Sequence, residues 1–146
     1  QSHDTARLKS LYNETKMISI KKDREWVQTR LITELACLER QHRGEHKTIN
    51  GFLQNDPKNG LLHYALASTL ERTGHLNSAI ENFEQIASKK QNYPHIRANA
   101  WFRLARLASD QQRVKFLRNC LLLTSDHVAA KKLLVETENT KHQMLS

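Results

Sequence analysis

Four glycines and two prolines in 146 residues leave this chain few places to turn. Glycine supplies the positive backbone φ of tight turns and proline presets their first corner, so a chain poor in both must use few, short connections. Leu, Ala, Lys, Glu, Arg and Gln dominate what remains, and these are the residues that lose least on entering a helix. No long alternation of apolar and polar residues occurs, and no Asn-Gly pair lies between two strand-like runs. The chain is therefore expected to be all-α.

The apolar residues recur at three-to-four spacing in eight stretches. The first spans about 4–18, with Leu8, Leu11, Tyr12 and Ile18 on one face. A polar break at Lys21-Lys22-Asp23-Arg24 follows, with Asp23 as the expected N-cap of a helix over about 24–42 striped by Val27, Leu31, Leu35 and Leu38. Gly44 stops it, and a short helix over 45–54 places Ile49, Phe52 and Leu53 inward. The turn Asn55-Asp56-Pro57-Lys58-Asn59-Gly60 separates it from a helix over 60–73, which ends at Gly74. Further helices are expected over 76–89, over 95–108 beyond Pro94, and to 123 from a cap at Ser109 or Asp110. The last starts from Ser125 or Asp126. The polar residues after about Asn139 are expected to fray. Short links between consecutive helices make antiparallel hairpins, and a row of hairpins is the pattern of a helical solenoid.

A longer-period motif overlies this pattern. His63-x2-Leu66-Ala67-x2-Leu70 is followed by Gly74 and then by Ala79-x3-Phe83, and Trp101-x2-Leu104-Ala105-x2-Ala108 repeats the first part. The order of large, small and aromatic residues resembles the tetratricopeptide (TPR) family. The spacing departs from it. Leu66 to Leu104 is 38 residues and Leu104 to Leu134 is 30, together two periods of 34, and no Ala-x3-Phe recurs in the later hairpin. The resemblance implies a right-handed superhelix of antiparallel helix hairpins over residues 23–138, preceded by a capping helix at 4–22 and followed by a frayed tail at 139–146. Within it, 60–93 is the best repeat, and 24–59 and 95–126 are degenerate ones. Residues 1–3, Gln-Ser-His, read as the remnant of a tag linker, so the chain is expected to be a piece of a larger protein.

In that family the first helices of successive hairpins line a concave groove. The resemblance places Leu61, Tyr64, Ser68 and Glu71 in it from one repeat. Asn99, Phe102, Arg103, Arg106 and Ser109 would come from the next, and Lys132 from the last helix. Chaperone-binding members clamp a terminal carboxylate with Lys and Asn; Tyr64 and Ser68 stand at the matching positions, so that specificity is not implied. Arg103 and Arg106 have the forked donors that hold a carboxylate or phosphate. Tyr64 and Phe102 are candidate exposed contacts, whereas the motif position of Trp101 points to core packing.

Other chemistry finds little support. His42 and His46 have the i, i+4 spacing of paired metal ligands, but Gly44 lies between them and no third ligand follows. Cys37 and Cys120 are too far apart in sequence to imply a disulfide framework, and both fall in helical apolar patterns. Glu34 and Glu39 read as helix-surface charges. No phosphate loop, nucleophile elbow or metalloprotease motif occurs, so neither catalysis nor a cofactor is expected. No stretch of about 18 apolar residues is present to span a membrane. The leading expectation is a non-catalytic scaffold that binds a peptide or helix, acidic by preference, in the groove. One alternative is nucleic-acid binding. The formal charge is +8, with basic clusters at Lys21-Lys22-Arg24 and at Arg113, Lys115 and Arg118, although aromatics for base stacking are scarce. The other is self-assembly through an uncovered terminal face. Nothing in the sequence fixes a compartment; a cytoplasmic location is the default expectation.

Overall fold

The computed structural model describes residues 3–21 and 47–145 and, between these, residues 23, 24, 27, 28, 30–32 and 34. Among the described residues there is helix, turn and bend but no strand. The helices are α1 (His3–Thr15), α2 (described helical residues between 21 and 34), α3 (Lys47–Asn55), α4 (Gly60–Arg72), α5 (Leu76–Ser88), α6 (Pro94–Leu107), α7 (Asp110–Leu123) and α8 (Val128–Leu145). The chain divides into two compact units, residues 1–79 and 80–146, the boundary falling inside α5.

In the first unit, Tyr12 of α1 is fully buried and tilts against Phe52 of α3 with ring centroids 4.6 Å apart. Its hydroxyl accepts a hydrogen bond from Asn59 Nδ2 at 2.6 Å. Asn59 is also the N-cap of α4, its Oδ1 accepting from the backbone N–H groups of Leu61 and Leu62. One amide thus ends the turn, starts the helix and ties down α1, satisfying donors that a helix start leaves orphaned. The end of α4 is as well specified. Gly74 has φ 86°, His75 N–H donates to Leu70 O, and Gly74 N–H donates to Glu71 O. These are the two bonds of a Schellman stop, and the positive φ is why glycine stands there.

Asp23 lies within helical residues and does not cap them. The first turn of α2 is closed by Arg24 N–H donating to Ile20 O at 3.0 Å, one turn ahead of the expected start. Gln28 of α2 is buried and donates through Nε2 to Thr15 Oγ1. The expected end of this helix at His42 and Gly44, with Cys37, Glu39 and His46, lies outside the described residues.

In the second unit the small residues Ala98, Ala105 and Ala130 are fully buried with Leu117 and Cys120. Trp101, Phe102, Phe116, Leu121, Leu123, Leu133 and Leu134 pack around them. Small side chains at these places let helix axes approach closely. Arg113 of α7 reaches back to the end of α6, donating from Nε to Ala105 O at 3.0 Å and from Nη2 to Ala108 O at 3.1 Å. The last carbonyls of the helix thereby gain a charged donor, Ala105 O also accepting from Ala108 N–H at 3.4 Å. Pro94 occupies the first turn of α6, where its missing N–H costs nothing. The start of α8 corrects the sequence expectation: the cap is His127, not Ser125 or Asp126. Its Nδ1 accepts from Ala130 N–H at 3.1 Å, and its carbonyl accepts from Lys131 N–H. At the other end α8 continues to Leu145, past the residue where fraying is expected. Thr137 and Thr140 within it bond back to the carbonyls of Leu133 and Glu136.

Candidate interaction face on α6

Helix α6 carries Asn99, Phe102, Arg103 and Arg106, whose three-to-four spacing puts them on one side. The structure organises them around an aromatic centre. Phe102 is half-buried and tilts against the His127 ring with centroids 5.0 Å apart. The Arg106 guanidinium lies 5.9 Å from the Phe102 centroid, and Arg106 is exposed. Arg103, half-buried, places its guanidinium 5.2 Å from the centroid of Phe83 of α5. Cation–π stacking of this kind restrains a guanidinium, and both arginines make further interactions in the structure.

His127 is the member that sequence reading missed. Its Nδ1 accepts from Ala130 N–H, so Nε2 carries the proton and donates to Asn99 Oδ1 at 2.9 Å. The ring therefore fixes the Asn99 amide, caps α8 and packs on Phe102 at once. The only sequence signal was its place just ahead of the α8 stripe, where Ser125 and Asp126 are the more usual caps.

The remaining groove candidates are distributed differently. Tyr64 and Glu71 of α4 are half-buried, and both have interactions in the structure. Ser68 is only 6% exposed and Leu61 is buried too, so these two offer almost no surface. All four belong to the first unit, whereas Asn99, Phe102, Arg103, Arg106 and Lys132 belong to the second. Ser109 occupies the N-cap of α7 without a side-chain cap bond, and Lys132 is exposed on α8.

No family model, curated protein or solved structure matches the chain. The α6 face therefore rests on its own geometry.

Of the C-terminal basic cluster, Arg113 is engaged with the end of α6 and with Asp110 at 3.2 Å. Arg118 pairs with Glu138 at 3.7 Å, and Lys115 is exposed. Glu34 is exposed, 3.9 Å from Arg30. Cys120 is a buried free thiol, and burial pushes its pKa up to about 11, away from the thiolate that nucleophilic chemistry needs. Among the described residues no three His, Cys, Asp or Glu side chains converge as metal ligands. None of the described helices is long and apolar enough to cross a membrane.

Trp101 packs against the core of the second unit, as its motif position implies, without being enclosed by it. It is half-buried, packs against the core with one part, and stacks on Phe116 at 5.5 Å while lining an open cavity.

Proposed function

We propose that this chain is a non-catalytic protein-interaction scaffold of tetratricopeptide type, and that the Asn99–Phe102–Arg103–Arg106 row on α6 is its binding face. The observation that carries the reading is the pair of arginines held over aromatic rings, Arg103 on Phe83 and Arg106 on Phe102. A pre-positioned guanidinium loses less freedom on binding than a free one, which favours recognition of carboxylates. The fitting occupant is an acidic peptide or helix whose apolar side chains lie on Phe102 and whose carboxylates meet the arginines.

The test is a panel of acidic and charge-neutral amphipathic peptides titrated onto the chain. The exposed Arg106→Glu variant should lose roughly tenfold or more in affinity for an acidic peptide while keeping its helical circular dichroism. Arg103→Glu combined with it should abolish binding. Equal affinity in Arg106→Glu and the parent chain would remove this face from consideration.

A second reading, self-assembly, is favoured by exposed apolar residues of α7 and α8: Leu122 is 85% exposed and Val128 77%, with Val135 also exposed on α8. The nucleic-acid reading is the weaker, because Arg113 and Arg118 already engage protein groups.

A further inference from the structure

Beside α6, within the second unit, lies a cavity of about 490 Å³ lined by Glu81, Glu84, Gln85 and Ser88 of α5, Trp101 of α6 and Phe116 of α7. It is separate from the proposed binding face. At about 100° per residue, Trp101 and Arg106 point roughly 140° apart around α6.

The α5 wall is a single exposed stripe: residues 81, 84, 85 and 88 follow the spacing of one helix face. The opposite stripe, with Phe83, Ile86 and Ala87, is buried. The other wall is aromatic, the rings of Trp101 and Phe116 stacked with an interplanar angle of 26°. Both aromatics keep part of their surface open. The lining thus combines two carboxylates with the ring type that attracts cations most strongly, and it contains no Lys or Arg. Among the described residues neither Glu81 nor Glu84 has an ion-pair partner. In a chain with a formal charge of +8, a cavity whose only charged lining groups are acidic stands against the background.

We propose that this cavity receives a basic side chain, lysine or arginine, from a segment of a partner protein. The apolar stem would lie along Trp101 and Phe116, and the cationic head would meet Glu81 and Glu84. Gln85 and Ser88 offer further polar groups at the same wall. Long basic side chains suit such a cavity because their stems bury against apolar surface while the head stays polar. Charge complementarity selects this occupant over an acidic one, so the two sides of α6 accept partners of opposite sign.

The test uses the full chain and three short capped peptides that differ at one central residue: lysine, arginine or the uncharged norleucine. The readout is the indole N–H resonance of Trp101, distinguished from that of Trp26 by its loss in Trp101→Phe. The lysine and arginine peptides should shift it saturably, and the norleucine peptide should bind roughly tenfold more weakly. Glu81→Gln with Glu84→Gln should weaken the lysine peptide by a similar factor. Both residues are exposed, so the Tm should not change. Arg106→Glu should leave this binding intact, which separates the cavity from the acidic-peptide face. Equal shifts with norleucine, or undiminished binding in the double Gln variant, would overturn the proposal. So would a peptide-free dimer that the double Gln variant dissolves, because the occupant would then be a second copy of the chain.

Discussion

Tyr12 concentrates the largest consequence at the scale of one residue. Burial, with the nearby Asp56 carboxylate adding to it, pushes its phenol up from 10.0 to about 12. The ionised form is therefore disfavoured only in the folded chain. Above pH 10 the unfolded chain sheds this proton while the folded chain keeps it. Stability should consequently be intact below pH 10 and fall between pH 10 and about 12, by an amount on the order of 2 kcal/mol. Urea denaturation across that range should show the decline, and Tyr12→Phe should flatten it while losing the Asn59 hydrogen bond. A parent chain with pH-independent stability between 10 and 12 would show that Tyr12 ionises freely. His127 shows a different single-residue economy, since one neutral tautomer supplies a helix cap, an amide partner and an aromatic contact.

At the scale of elements, the helix ends carry more information than the helix bodies. Arg113 and Arg118 both belong to the basic cluster on α7, yet their environments differ. Arg113 is half-buried and bonds two carbonyls at the end of α6, whereas Arg118 makes an exposed pair with Glu138. Charged donors on part-buried carbonyls contribute more than exposed pairs, which are screened by water. Arg113→Met should destabilise the chain by about 2 kcal/mol, and Arg118→Met by less than about 0.5 kcal/mol. Chemical denaturation of the two variants under identical conditions checks this; equal effects would show that the α6 end is satisfied by other means. The sequence grouped both residues in one basic cluster, and only Lys115 and Arg118 share a face by their spacing of three. It could not reveal that the carbonyls at the end of α6 lie within reach of Arg113.

At the scale of the whole molecule, α8 leaves two apolar residues, Val128 and Val135, exposed seven residues apart. If this face mediates self-assembly, sedimentation should show a mass that rises with concentration and falls to that of the monomer in Val128→Lys with Val135→Lys. A strict monomer at high concentration would remove that reading.

Local rules decided much of this protein. Scarce glycine and proline, three-to-four apolar spacing, Gly74 and the Asn59-Gly60 turn suffice to place the helices α3 to α7 within a few residues, because those signals act on the backbone nearby. The small and large residues Ala67, Ala79, Phe83, Leu104 and Ala105 were also legible as packing positions, and all are buried. The proposed binding surface was less so. The row on α6 could be read from its spacing, but the support from His127, 28 residues from Asn99, could not. Trp101 could be assigned to the core by pattern, but its open side depends on Phe116 and on the polar stripe of α5 being brought beside it. Helix formation is set within a few residues of chain, so sequence determines it. Which donors, rings and carboxylates meet across helices depends on packing between distant segments, and only the tertiary structure decided that.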